Sequence, residues 1–274
     1  MWWRNGDGPA AAAKGQSLRA KRNSLIWLPN SFTAMNVLLG FLSILVSVNA
    51  FLRPEVTAPG DPTSYDTACW LIIWAVIFDV LDGKVAKLTG TSSDFGMRLD
   101  TFADATTFGL APAVLIFCTF LSPLRMIPPL GWIACGCYFT AAVFRLARYN
   151  VQTNAEPKFG FVGLPTPAAA IITVSMYLVV RDMQPVAWMV AALIVLLAFV
   201  MVSPIRYPSL KGLYSREKKL VLILLISSMI STYYGGPAKA LFLYFGSFAL
   251  IWGPFWVPTR RLWNPELKLS KSKS

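Results

Sequence analysis

The sequence predicts an all-α integral membrane protein of about eight transmembrane helices, and three observations predict it. Of 274 residues, 55% are hydrophobic and only 14% charged; a soluble domain carries roughly 25% charged residues, so this surface cannot all face water. The apolar residues fall in blocks long enough to cross roughly 30 Å of hydrocarbon at about 1.5 Å per helical residue. The basic residues, which leave a net charge of +12, sit in short clusters between those blocks. Such placement suits topology signals and anionic lipid, and argues against a nucleic-acid face. Disorder and a small disulfide scaffold are excluded by the same composition. Cys69, Cys118, Cys135 and Cys137 all lie inside apolar blocks and there is no histidine. Zinc, haem and Ser-His or Cys-His catalysis therefore lack their usual ligand or base.

In chain order the blocks are 32–52, 66–88, 97–121, 129–149, 164–181, 184–202, 217–234 and 236–257. The fifth and sixth are divided by Arg181-Asp182-Met183-Gln184-Pro185, the last two by Tyr234-Gly235-Gly236-Pro237, a turn signal. These are the two narrowest divisions, and six or seven spans also satisfy the pattern. With eight spans, 21 of the 25 Lys and Arg residues fall on one side, leaving Arg53, Arg125, Arg181 and Lys239 on the other. The positive-inside rule then puts both termini in the cytoplasm. Residues 1–28 form a basic cytoplasmic segment, 29–257 the transmembrane domain and 258–274 a basic tail. The first 25 residues lack an apolar core followed by a small-residue cleavage site, so no cleaved signal peptide is expected.

The exceptions inside the blocks carry the chemistry. Of 13 acidic residues, Asp79, Asp82, Asp100 and Asp104 fall within two adjoining spans. Each carboxylate costs about 2.5–3.5 kcal/mol at mid-bilayer on insertion scales, so the four need compensation. Asp79 and Asp82 are three apart and Asp100 and Asp104 four apart, so each pair shares a helix face. The hydrophilic break Thr89-Gly90-Thr91-Ser92-Ser93-Asp94 makes the two helices antiparallel. Asp82 and Asp100 then stand roughly 9 Å from the turn, facing each other, with Asp79 and Asp104 at matching greater depth. Four converging carboxylates repel one another. Divalent ions are the economical remedy, and an all-oxygen site favours Mg²⁺, Mn²⁺ or Ca²⁺. Protonated acids, or a proton or cation path through the membrane, also fit this spacing.

The run Asp79-x2-Asp82-Gly83-x2-Ala86-Lys87-x8-Gly96-x3-Asp100-x3-Asp104 resembles the signature of the CDP-alcohol phosphotransferase superfamily. It departs at Lys87, where the family usually has Arg; the charge survives but a planar two-pronged donor becomes a point charge. Pro29-Asn30-Ser31-Phe32-Thr33, with Asn36 and Gly40, looks like the family's approach to its first span. Three further stretches are similar to the phosphatidylserine synthase branch. They are Leu99–Asp104 continuing to Phe108-Gly109-Leu110-Ala111-Pro112, Arg145-Leu146-Ala147-Arg148-Tyr149-Asn150, and Phe161–Pro167.

The resemblance implies a multi-pass enzyme of the cell membrane, its active site near the cytoplasmic face, transferring a phosphatidyl group from CDP-diacylglycerol to L-serine with release of CMP. It implies two divalent cations, with Asp79 and Asp100 bridging both and Asp82 and Asp104 each holding one. Asp104 is also the implied general base. Asn30, Thr33, Gly83, Ala86, Lys87, Ser93 and Gly96 are the expected CDP-lipid contacts, and Arg145 and Arg148 the expected acceptor contacts. The implied partners are the two substrates, membrane lipids and, since the family is commonly dimeric, a second copy of the chain. Glycerol phosphate, inositol phosphate or another alcohol as acceptor, and a cation transporter using the acid cluster, are the competing readings.

Overall fold

The computed structural model describes residues 9–53, 62–89, 94–122, 128–153, 160–181 and 187–208. The expected blocks 217–234 and 236–257 and the tail 258–274 lie outside the described residues. Helices are α1 (Pro9–Leu52), α2 (Pro62–Thr89), α3 (Asp94–Asp104), α4 (Ala111–Ile116), α5 (Pro128–Thr153), α6 (Thr166–Val180) and α7 (Ala187–Val202). The fifth and sixth apolar blocks thus form two separate helices. Proline starts several of these elements, where its missing N–H costs nothing: Pro62 opens α2, Pro128 opens α5, and Pro167 sits in the first turn of α6.

The third apolar block is one unbroken rod with two changes of winding. Between α3 and α4 lies π-helical Ala105–Leu110, and after α4 comes π-helical Phe117–Leu121. Pro112 accounts for the first. It has no N–H to give the carbonyl of Phe108 and its ring would press on that carbonyl, so the backbone widens. Ala111 N–H accordingly reaches back five residues to Thr106 O. The freed Phe108 carbonyl accepts a hydrogen bond from the fully buried Tyr138 hydroxyl of α5 at 3.3 Å.

The molecule is an integral membrane protein built of helices. Asn30–Leu52, Phe95–Leu121 and Pro129–Val151 are each long and apolar enough to cross a bilayer, whereas Thr166–Val180 and Ala187–Val202 are shorter apolar helices. Large apolar side chains point outward: Leu38, Phe41 and Leu45 of α1, Trp70 and Trp74 of α2, Trp132 and Phe144 of α5, Phe199 of α7. The inward stripe of α1 is instead small and polar, namely Thr33, Asn36, Gly40, Ser43 and Ser47. In lipid, apolar surface gains little by turning inward, and helices associate through close packing and interhelical hydrogen bonds. Ser43 donates to Ala68 O of α2 at 2.9 Å. Gly40 lies so close to Thr107 that a Cβ there would overlap its side chain and backbone.

One short ribbon accompanies the helices. Gly160–Val162 (β1) pairs antiparallel with Arg206–Pro208 (β2), Phe161 opposite Tyr207. This ribbon ties the segment before α6 to the segment after α7, and Gly163 N–H continues the pairing to Ile205 O at 2.7 Å. Gly163 adopts φ 80°, and a Cβ there would run into Met201 O and the Arg148 guanidinium, so only glycine makes this turn.

Candidate active site

The α2–α3 pair brings the acidic side chains together as their spacing requires. Carboxylate oxygens of Asp79, Asp82 and Asp100 lie within 4.8 Å of one another. The Asp104 side chain reaches that of Asp79. From α1, Thr33 donates its hydroxyl to Asp82 Oδ2 at 2.9 Å, and both residues are buried. Thr33 therefore ties one carboxylate oxygen of Asp82 to α1.

The donor set fits divalent cations. Ligand oxygens around one ion at 2.0–2.6 Å stand at most about 5 Å apart, the spread found here. Asp100 Oδ1 and Asp104 Oδ1 are buried with no hydrogen-bond partner. Orphaned carboxylate oxygens inside a membrane helix pair are costly and call for a cation or proton. All the donors are hard oxygens, which suits Mg²⁺, Mn²⁺ or Ca²⁺ over softer metals.

Around the acids the expected contacts fall into distinct places. Gly83 is exposed, and a Cβ on it would meet nothing within 4 Å, so open space lies beside Asp82. Asn30 is half-buried one turn before Thr33, and Gly96 half-buried one turn before Asp100. Ser93 and the side chains of Ala86 and Lys87 lie outside the described residues.

The two arginines differ in their surroundings. Arg145 is buried, donates from Nη1 to Thr166 Oγ1 at 2.6 Å, and has its guanidinium carbon 5.8 Å from the Tyr149 ring centroid. It is close enough to Asp104 and Asp79 for its charge to act on both. Arg148 turns the other way. Its Nη1 donates to Val202 O at 2.9 Å and its Nη2 to Val162 O at 2.8 Å, gathering the end of α7 and strand β1 onto α5. The resemblance also gave no role to Asn150, which donates to Thr101 Oγ1 at 2.9 Å and so fixes the end of α5 beside Asp100. A polar residue just past a block's expected end is no signal by itself; the partner on α3 reveals it.

The family model for CDP-alcohol phosphatidyltransferase matches residues 26–205. The chain belongs to this family. Residues 26–205 contain every helix that carries the acid cluster and both arginines. The chain is 33% identical over 235 residues to the CDP-diacylglycerol–serine O-phosphatidyltransferase of Helicobacter pylori, covering 84% of this chain and 91% of that one. It is 32% identical over 219 residues to the enzyme of the same name from Methanocaldococcus jannaschii, covering 80% and 89%. With the archaetidylserine synthase of Methanothermobacter thermautotrophicus the identity is 34% over 198 residues, covering 70% and 74%.

Proposed function

We propose that this family member transfers the phosphatidyl group of CDP-diacylglycerol to L-serine, giving phosphatidylserine and CMP. The observation that carries the reading is the four-aspartate cluster on the facing helices α2 and α3, with open space beside Gly83. Similarity over 80–84% of the chain to relatives named for serine supports serine as the acceptor.

Asp79, Asp82, Asp100 and Asp104 would hold two divalent cations. When bound, these neutralise the diphosphate and the charge that develops on the departing CMP oxygen. The chain's own residues do the remaining work. Thr33 holds Asp82 in its rotamer by the 2.9 Å hydrogen bond. Asp104 accepts the proton of the serine hydroxyl as its oxygen bonds to the lipid-side phosphorus. The bond from that phosphorus to the bridging oxygen breaks, and CMP leaves with the electron pair. A carboxylate is a weak base for an alcohol, so positioning supplies much of the rate. Arg145, buried and near Asp104, is placed to neutralise the serine carboxylate. Arg148 supports that site by holding β1 and α7 against α5. Asn30, Gly83, Ala86, Lys87, Ser93 and Gly96 would line the nucleotide.

The sidedness of the basic residues supports eight spans, cytoplasmic termini and a site near the cytoplasmic face of the cell membrane. The family habit supports a homodimer. Within the proposed division at residue 28, α1 runs on without a break. The test is purified protein with CDP-diacylglycerol, Mn²⁺ and labelled serine or glycerol phosphate, side by side, following CMP release. Serine-dependent release that Asp100→Asn abolishes is expected. Release with glycerol phosphate and none with serine refutes the acceptor, and ion flux without CDP-lipid turnover refutes the transferase reading.

A further inference from the structure

Asn36 is fully buried, and neither its side-chain nitrogen nor its side-chain oxygen has a hydrogen-bond partner. Leaving an amide unpaired inside a protein is costly, more so where no water can reach it, so such a group needs an explanation. Its neighbours supply one. The backbone carbonyl of Asn36 accepts a hydrogen bond from Thr107 Oγ1 at 3.0 Å. That contact brings Asn36 level with the π-helical turn that begins immediately after Asp104. On α1, Asn36 is one turn deeper than Thr33, which holds Asp82.

Direction matters as much as level. Thr33 meets Asp82 and Ser43 meets Ala68, so α1 and α2 are antiparallel. The acid pairs make α2 and α3 antiparallel too, so α1 and α3 run the same way. Helical side chains lean toward their own N-terminus. Asn36 therefore leans from the Thr107 level back toward Asp104, whose Oδ1 is also buried and unpaired. Two buried polar groups without partners, the Asn36 amide on α1 and Asp104 Oδ1 on α3, thus lie on adjoining helices within about one helical turn of the same level.

We propose that Asn36 is a positioning residue for the acid cluster, its amide fixing Asp104 from beneath through an ordered water. Buried waters commonly serve two to four such groups. The bare Gly40 surface lets Thr107 sit close against α1, and Asp104 lies one turn before Thr107 on the same rod. This inference rests on the two-cation reading of the aspartates.

The experiment compares wild type, Asn36→Leu, Asn36→Ser and Asp100→Asn in detergent, measuring Mn²⁺ affinity by electron paramagnetic resonance, melting temperature, and kcat and KM. Leucine has asparagine's approximate size without its donor; serine keeps a donor and leaves room for one more water. Asn36→Leu is expected to weaken Mn²⁺ binding about tenfold, the low end of the usual effect of removing a ligand's hydrogen-bond partner, at a melting temperature no lower than wild type. Its kcat should fall while KM for CDP-diacylglycerol holds, and Asn36→Ser should recover most of the Mn²⁺ affinity. Wild-type Mn²⁺ affinity in Asn36→Leu overturns the inference and makes Asn36 a packing residue. Should leucine fail to fold, Asn36→Ala reads the same affinity by the same criterion. Wild-type protein that binds no Mn²⁺, or Asp100→Asn that binds it undiminished, refutes the metal reading itself and this inference with it.

Discussion

Arg145 and Arg148, three residues apart on one helix, look equivalent in the sequence and are not equivalent in the fold. Arg145 has one terminal nitrogen on Thr166 and its charge on the acid cluster; Arg148 has both terminal nitrogens on backbone carbonyls. Arg145→Ala should raise the serine KM about tenfold, or about 1.4 kcal/mol, and also lower the melting temperature, since it leaves the buried Thr166 hydroxyl without its partner. Arg148→Ala should affect stability alone. It orphans the Val162 and Val202 carbonyls, so a loss of about 2 kcal/mol in stability is expected, read as a lower melting temperature at near-normal serine KM. If both variants shift KM equally at unchanged melting temperature, the division of labour is wrong. Lys87 makes a sharper residue-scale case, since its role rests on the family pattern. Lys87→Arg should keep activity, while Lys87→Ala should weaken CDP-diacylglycerol binding through loss of a phosphate-facing cation. Unchanged apparent affinity in Lys87→Ala would reduce Lys87 to a topology charge.

At the scale of elements, the acid cluster depends on how closely α1 approaches the π-turn after Asp104. Gly40 sets that distance, because a Cβ there would overlap Thr107 side chain and backbone alike. Backbone cannot yield as a flexible side-chain tip can. Gly40→Ala should therefore cost about 1–3 kcal/mol, the usual range for overpacking, and lower kcat by displacing Asp104. Melting temperature and CMP release measure both, and an active variant of normal stability would show that α1 can move away without consequence. The third apolar block was legible as a helix of the right length, and the four aspartates as two facing pairs, because i, i+3 and i, i+4 spacing fixes a face. The π-turn was not read there. Its cause, Pro112, was quoted in the Phe108–Pro112 motif, but a proline within a helix can kink it, end it or widen it, and neighbouring packing decides which.

For the whole molecule, the inside-out distribution of side chains suits a protein in lipid: aromatic and aliphatic residues outside, a polar stripe on α1 inside. Four clustered carboxylates, Asp82 buried and the other three half-buried, are the weak point of that arrangement, and bound cations should offset it. Mn²⁺ at about 100 times its dissociation constant should stabilise the folded protein by about 2.7 kcal/mol, since it binds the native site alone. Thermal or denaturant unfolding with Mn²⁺ and with chelator measures this, and Asp100→Asn should show no such gain. Equal stabilisation of Asp100→Asn would place the ions elsewhere.

Composition, block length and the spacing of four aspartates were enough to predict a helical membrane protein with a carboxylate cluster between its second and third spans. These are properties of single elements and their immediate connection, and periodicity along one chain encodes them directly. The separate tasks of Arg145 and Arg148, the ribbon joining β1 to β2 and the orphaned amide of Asn36 were decided only by tertiary structure. Each depends on which atom stands opposite a polar side chain or a backbone group. That atom comes from an element tens of residues away, at a distance no local pattern records.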